Sequence, residues 1–199
     1  PFKERDFMQL TDSQLFLDAR SHKKFKDTPV SLETLQSVYE LTKMAPTANN
    51  CCPLRIVFVT SKGGLSTLAA SAHGYNKEKV ETAPAAAILA YDMRFYDHFT
   101  ELAPHLSQPP SQAQWPEDRI EKTAITSANI QAGFFLIAAR AHGLDCGPMA
   151  GFDAEPIEQA FFDVPSWRFG WVVLLGEGDP DALYPRADRL AFETACKVV

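Results

Sequence analysis

The chain has 199 residues, 46% of them hydrophobic, which is enough apolar material for a substantial core and predicts a single domain spanning residues 1–199. Asp and Glu (25) outnumber Lys and Arg (19), and the formal net charge of −6 argues against a protein whose main task is to bind nucleic acid. No stretch approaches the roughly 18 consecutive apolar residues of a membrane span, and the polar start is unlike a signal peptide, so we expect a cytoplasmic protein with no membrane partner.

The first half of the chain is predicted to alternate helices with strands. Capping residues and apolar spacing predict a helix over 11–20 and another that begins after Ser31, in which Leu35 and Val38 share one face. The Pro- and Asn-containing loop 45–53 interrupts them, and β-branched residues predict a strand over 54–60. Helices at about 65–72 and 76–82 and a buried strand over 85–91 follow.

The segment 92–116 is predicted to be a long loop. It contains four prolines together with the aromatic residues Phe95, Tyr96, Phe99 and Trp115. Long loops inside compact domains are usually functional. These aromatic residues are therefore either core residues or the walls of a substrate lid, and the prolines favour the lid.

The longest predicted helix covers 117–142 and ends at Gly143. Its stretch 132–141 is apolar nearly all round, as expected for a helix at the centre of a dimer and almost equally for a buried core helix. A short strand, the turn 147–153, a helix over 155–162 and a strand over 169–175 complete the pattern. Neither a Rossmann glycine motif nor a P-loop is present, so an α+β sandwich fits better than a doubly wound sheet.

The four cysteines (51, 52, 146 and 196) have no metal-ligand spacing, and neither do the five histidines. We therefore expect no metal site and assign no histidine a catalytic role. Adjacent cysteines bridge only through a strained ring, so reduced thiols are favoured at 51 and 52.

Two basic clusters stand out in this acidic chain, one over 19–25 and one over 184–189. Guanidinium groups and hydroxyls match phosphate oxygens, so these clusters indicate a small anionic ligand, with a phosphorylated cofactor as the first candidate. Spacing alone leaves other interpretations open. The basic side chains also fit a solvated surface or surface ion pairs, and Asn50, Asn76 and Gly151 also fit ordinary turns.

Four segments, taken in chain order, resemble the FMN-dependent nitroreductase family. They are Arg20-Ser21-x-Lys23-x-Phe25, the loop 45–53, the turn 147–153 and Arg186-x-x-Arg189. The resemblance spans nearly the whole chain, from about residue 15 onward. More narrowly, segments 18–22, 48–51, 147–153 and 183–184 resemble the branch that contains the malonic semialdehyde reductase of pyrimidine degradation.

The resemblance implies a nitroreductase-like mixed sheet flanked by helices, in an intertwined homodimer with FMN at the subunit interface and NADH or NADPH as co-substrate. It also implies a set of cofactor-binding positions: Arg20 and Ser21 at the phosphate and ribityl end, Lys23, Asn76 and Lys79 at the ring, Asn50 reaching from the other subunit, Ala150 and Gly151 at the turn facing flavin N5, and Arg186 and Arg189 at the phosphate.

Three positions depart from the family pattern. Ala19 stands where many relatives have another Arg, Cys52 where many have Gln, and Ala150 where some have Glu. The first change leaves one arginine fewer to share the phosphate, and the second replaces an amide at the ring edge by a thiol.

The function that the resemblance implies is an FMN-dependent NAD(P)H oxidoreductase that reduces a small substrate by ping-pong hydride transfer. Malonic semialdehyde, reduced to 3-hydroxypropionate, is the leading candidate substrate, and a general nitroaromatic or quinone reductase is the close alternative. Lys23 and Lys79 would stabilise negative charge on the reduced cofactor, while no catalytic side chain is assigned. A non-catalytic flavin-binding protein is the alternative of another class.

Overall fold

A four-stranded antiparallel sheet forms the centre of the computed structural model, which describes residues 11–106 and 114–199. The strands lie in the order β1-β2-β4-β3, so β1 and β3 form the two edges. Their bounds are β1 Leu54–Val59, β2 Ala85–Asp92, β3 Asp145–Met149 and β4 Trp167–Gly176. The helices are α1 Leu32–Thr42, α2 Lys62–Ala70, α3 Asn76–Thr82, α4 Phe99–Leu102, α5 Glu117–Ala141, α6 Ala154–Phe161 and α7 Phe192–Ala195.

The sheet has a hydrophobic core on each of its two faces, and the central strand β2 contributes residues to both. Successive side chains of a strand point to opposite faces. Accordingly, Leu89 packs with Leu35 and Phe135 beneath α1 and α5, whereas Ile88 packs with Leu68 and Ile157 beneath α2 and α6. All six of these side chains are buried. The α+β class predicted from the sequence is confirmed.

Helix α1 begins where its sequence predicts. The Ser31 hydroxyl accepts a hydrogen bond of 3.1 Å from the Thr34 N–H, which satisfies one of the free donors of the first turn. Leu35 and Val38 then lie on the buried face, against α5. Among the described residues, no helix is long and apolar enough to cross a bilayer.

The segment predicted as a loop with an aromatic lid is different in the structure. Phe95 and Phe99 are fully buried and meet edge to face, with ring centroids 6.0 Å apart. They form a third core cluster with Cys51 and Ile120, and a helical turn and α4 take up the chain from 95 to 102. The preference for a lid was therefore wrong for these two aromatics, because a phenylalanine pair gains more from burial than from exposure. Residues 107–113 of the predicted loop lie outside the described residues.

The N-terminal segment runs along the edge of β3. Of the predicted helix 11–20, only Ser13–Leu17 is helical. The chain then forms a bridge between Ser21 and Cys146, and a second between Phe25 and Gly178 just after β4. This edge segment, residues 21–26, brings the first basic cluster beside the ends of β3 and β4.

Candidate anionic-cofactor site

The two basic clusters of the sequence lie together in the structure. Arg20 donates a hydrogen bond from its guanidinium to the Tyr184 carbonyl, and Arg186 donates one of 2.9 Å to the Ala19 carbonyl. The Lys23 ammonium nitrogen lies 3.3 Å from the centroid of the Tyr184 ring. Segments more than 160 residues apart in the chain thus meet at Tyr184, which contacts both Arg20 and Lys23.

Helix α3 adds a lysine and an amide to this region. The Lys79 ammonium donates to the Asn76 side-chain oxygen at 3.1 Å, and the Asn76 amide nitrogen lies 3.4 Å from the Gly151 carbonyl oxygen. A Cβ at position 151 would stand only 2.8 Å from that amide nitrogen. A side chain at 151 would therefore displace the Asn76 amide from its contact with the turn after β3. Ala150, which precedes it, is exposed.

The charges of this cation cluster, defined as Arg20, Lys23, Lys79 and Arg186, are not balanced by carboxylates. Within residues 11–106 and 114–199, none of the four has an acidic group within 4.0 Å. A hydrogen bond from Lys23 and the charge of Lys23, with a smaller contribution from the charge of Lys79, lower the pKa of the exposed Tyr184 hydroxyl. Four unpaired cations in a chain of net charge −6 form a site that favours an anion.

Not every residue predicted for the site joins this cluster. The structure brings together Arg20, Lys23, Asn76, Lys79, Gly151 and Arg186, with Ser21 and Ala150 adjacent in the chain. Arg189 donates to the carbonyls of Ala187 and Asp188 in its own segment. Asn50 donates to the Leu102 carbonyl at 2.8 Å and accepts from the Cys52 thiol.

Asn50 belongs to a loop whose backbone is held in an unusual conformation. Asn49, Asn50 and Cys52 all have left-handed φ angles, of 51°, 56° and 41°. Two side chains hold Cys52 there, since the Thr47 hydroxyl accepts from its N–H and Arg55 donates to its carbonyl. Non-glycine residues keep this conformation only where surrounding contacts impose it, and such positions cluster at functional sites.

An apolar groove lies next to this loop, alongside α1 and the unpaired edge of β1. Its volume is about 1230 Å³, and its lining includes Leu32, Tyr39, Ile56, Phe58, Asn50 and Cys52. We call it the β1 groove. On the same face of the sheet, Ile130 and Phe134 of α5 are 42% and 43% exposed.

Two of the thiols are buried, and burial disfavours the thiolate form that acts as a nucleophile. Burial raises the pKa of Cys51, and it raises the pKa of Cys146 from 9.0 to about 12, with Arg140 acting in the opposite direction. All four cysteines are free thiols. Within the described ranges, no cluster of His, Cys, Asp and Glu is arranged to hold a metal ion.

Three further arginines lie outside the cation cluster. Arg94 forms an ion pair with Asp97, and Arg119 stacks over the Trp115 ring at 4.0 Å. Arg168 donates to the backbone carbonyls of Pro165 and Trp167.

Two residues of this region carry no site role in the sequence interpretation. In the sequence Tyr184 belongs to a motif only, although an aromatic residue next to a basic cluster is a natural cation partner. The spacing of His22 gives no sign that it is buried while its neighbours Ser21 and Lys24 are exposed. Both depend on contacts between distant parts of the chain.

Comparison with known proteins identifies related chains. The model of the nitroreductase family matches residues 17–177. A protein of Polynucleobacter asymbioticus named "Putative NADH dehydrogenase/NAD(P)H nitroreductase" is 41% identical over 186 residues, covering 94% of each chain. A protein of Leptothrix cholodnii with the same name is 41% identical over 189 residues, covering 94% of this chain and 95% of its own.

Solved structures share the fold. A nitroreductase family protein of Streptococcus pneumoniae aligns with a TM-score of 0.82 at 20% identity, covering 95% of this chain and 100% of that one. A protein of Exiguobacterium sibiricum, solved in complex with FMN, aligns with a TM-score of 0.82 at 22% identity, covering 96% and 98%. The nitroreductase-like fold predicted from the sequence is confirmed.

Proposed function

The chain belongs to the nitroreductase family, and from this we propose that it is an FMN-dependent NAD(P)H oxidoreductase that reduces a small substrate. The observation that carries the proposal is the cation cluster, in which four cations without a carboxylate partner among the described residues lie together in an acidic protein. The relatives whose names include NAD(P)H nitroreductase and the FMN complex of a protein with the same fold support it.

The residues of the cluster fit the two chemically different ends of FMN. Arg20, Ser21 and Arg186 offer guanidinium and hydroxyl donors, which suit the phosphate and the ribityl chain. Arg189 lies on the same C-terminal segment and is proposed as a further phosphate ligand.

At the ring end, Lys23, Asn76 and Lys79 supply two cations and an amide, while Ala150 and Gly151 supply a turn whose backbone can approach the flavin closely. When bound, FMN supplies the redox chemistry by accepting a hydride from NAD(P)H and passing it to the substrate. Lys23 and Lys79 favour that uptake, because fixed positive charge stabilises the negative charge that develops at the ring.

We propose further that the working unit is a homodimer. Residues 184–199 are all exposed, and they include Leu190 and Phe192, at 74% and 61%. The β1 groove and the exposed face of α5 offer matching apolar surface, and β1 is an unpaired edge strand, which proteins usually cover. A second copy would cover these surfaces and carry Asn50 to the other subunit's FMN.

For the substrate, we propose a short carboxylated aldehyde such as malonic semialdehyde. This rests on the motif resemblance alone, and the carboxylate would need a cation or backbone donors beside the flavin. Reduction of a nitroaromatic or quinone is the second candidate, favoured by the names of the 41% identical relatives.

The test is direct. The purified protein, loaded with FMN and freed of excess by gel filtration, is expected to be yellow and to oxidise NADH or NADPH in the presence of an acceptor. Protein that retains no FMN contradicts the proposed site. Protein that retains FMN but leaves NAD(P)H unoxidised is a flavin-binding protein and contradicts the proposed activity.

A further inference from the structure

His22 is a buried side chain in the middle of an exposed segment. It is 8% exposed, whereas Ser21, Lys24 and Lys26 are all exposed. The His22 N–H donates to the Cys146 carbonyl at 2.9 Å, between the bridges at Ser21 and Phe25. The edge segment is thus attached by its backbone and by the side chains of His22, Phe25 and Lys26.

The contacts of this side chain are specific. His22 Nε2 lies 3.3 Å from Asp145 Oδ1, while Asp145 Oδ2 accepts a hydrogen bond of 2.8 Å from the Gly178 N–H. One carboxylate therefore joins the edge segment to the first residue of β3 and to the chain after β4. The Asp145 side chain is 41% exposed, so the pair lies at the rim of the fold.

The other ring nitrogen, Nδ1, shows how the imidazole ring packs. Nδ1 is buried and has no hydrogen-bond partner within the described part of the chain. A Cβ on Gly178 would stand 2.0 Å from it, so the ring lies flat against the glycine backbone. Of the two ring nitrogens, Nε2 is therefore the one that faces a carboxylate, at 3.3 Å from Asp145 Oδ1.

The side chain of Lys23, next in the chain, links the packing of His22 to the proposed cofactor site. While His22 reaches toward Asp145, Lys23 reaches to the Tyr184 ring within the cation cluster. Residues 22 and 23 are adjacent, so a shift of the backbone at 22, which is also held by the hydrogen bond to Cys146, would change the direction of the Lys23 side chain.

We propose that His22 is a positioning residue for FMN, which directs Ser21 and Lys23 at the cofactor through its contact with Asp145 and its packing on Gly178. The inference rests on the proposed function, because it assigns His22 to the FMN site. His22 itself touches neither the cofactor nor the substrate. It acts through its neighbours, as residues behind the direct ligands commonly do.

The first experiment compares two amides at position 22. In His22→Gln the side-chain NH₂ can take the place of Nε2 and donate to Asp145, whereas in His22→Asn it reaches only the place of Nδ1, which has no acceptor. We expect His22→Asn to raise the Kd for FMN, measured by flavin fluorescence, about tenfold or more, and His22→Gln to restore most of the affinity. Lys24→Ala removes an exposed cation of the same segment and should leave the Kd within about twofold.

The second experiment is a double-mutant cycle with Lys23→Ala. If His22 acts through Lys23, His22→Asn should have a much smaller effect on FMN affinity in the Lys23→Ala background than in the wild type. It should also shift the midpoint potential of bound FMN in the same direction as Lys23→Ala. Equal effects in both backgrounds, or a Kd that His22→Asn does not change, overturn the inference.

Folding is monitored by urea unfolding of each apoprotein. If His22→Asn does not fold, Asp145→Asn tests the same contact from the other side, and an unchanged Kd in that variant overturns the inference. Wild-type protein that binds no FMN overturns the proposed function and this inference together. Wild-type, His22→Asn and Asp145→Asn proteins that bind FMN equally overturn the inference alone.

Discussion

At the scale of single residues, the described part of the chain brings four cations that have no carboxylate partner close together, namely Arg20, Lys23, Lys79 and Arg186. Arg55 and Lys26 lie against Asp92 and Glu177, and Lys26 and Glu177 shift one another's pKa in the directions that favour the charged forms. The cation cluster has no such partners, so its charge is available to a ligand. Charge-assisted hydrogen bonds are strong, and their loss should appear in ligand affinity more than in stability.

The double variant Arg186→Ala/Arg189→Ala tests the phosphate end. Each charge-assisted hydrogen bond contributes roughly 1.5 to 3 kcal/mol, so we expect FMN affinity to fall by about a few hundredfold or more. Both side chains are exposed, so the urea midpoint of the apoprotein should change little. Lys197→Ala, which removes a cation from the same exposed segment, is the matched control. Unchanged FMN retention through gel filtration would remove both arginines from the site.

The buried Cys146 thiol gives a stability prediction at alkaline pH. Its pKa is about 12 in the folded protein against 9.0 in its ordinary state. The stabilisation is complete below pH 9 and is lost between pH 9 and 12, because the unfolded chain releases the proton first. Between pH 8 and 10, wild type should lose about 1 kcal/mol more free energy of unfolding than Cys146→Ala. Cys196→Ala, at an exposed thiol, should behave as wild type, and a parallel decline in all three proteins would contradict the assignment.

At the scale of elements, α1 and β2 could be predicted well because local patterns determine them. Ser31 marks the start of α1, and the small apolar residues of β2 indicate a strand buried on both faces. The segment after β2 could not be predicted, because burial of Phe95 against Cys51 and Ile120 joins residues far apart in sequence. For the site, the basic clusters could be identified in the sequence, whereas the meeting of Lys23 with Tyr184 and the seat of His22 require the folded chain.

The cap of α1 can be tested separately. Ser31→Ala removes the acceptor for the Thr34 N–H and should reduce the free energy of unfolding by about 1 kcal/mol. Ser37→Ala, inside the same helix, removes a hydroxyl without affecting a cap and should cost nothing, since Ala is the better helix former. Urea unfolding of both variants at one protein concentration gives the comparison. An equal loss in the two variants would mean that the cap contributes little.

At the scale of the whole molecule, a single chain exposes apolar surface in the β1 groove and on α5. The nearly all-apolar stretch 132–141 is partly an internal feature, since Ala132, Phe135 and Ala139 are buried within the chain. The exposed face of α5 presents Ile130 and Phe134 instead, beside the β1 groove and in addition to the exposed C-terminal segment. A surface of this kind favours a large, mostly apolar interface.

We expect light scattering to show a homodimer with no stable monomer that holds FMN. Phe134→Glu places a charge on the exposed face of α5 and should weaken the dimer and FMN binding together, because each proposed site takes Asn50 from the other subunit. Val164→Glu, which makes the same kind of change at an exposed residue before β4, should leave the dimer intact. A monomeric wild type that retains FMN would contradict the assembly.

Substrate preference is a property of the complete site, and steady-state kinetics can measure it. With malonic semialdehyde, propanal and a nitrofuran under one supply of NAD(P)H, we expect the highest kcat/KM for malonic semialdehyde, because a polar contact to the carboxylate discriminates more strongly than apolar fit. Equal values for propanal and malonic semialdehyde would show that the carboxylate is not recognised. A nitrofuran that is reduced faster than both would identify a general nitroreductase.

The packing of His22 on Gly178 also limits how this protein can diverge. Any side chain added at 178 would have to occupy the space of the imidazole, since a Cβ there would stand 2.0 Å from Nδ1. Position 178 is thus closed to substitution as long as 22 holds a ring, whereas a smaller residue at 22 would open it. In descendants of this chain a side chain at 178 should therefore appear only together with, or after, a change at 22, although the two positions are 156 residues apart.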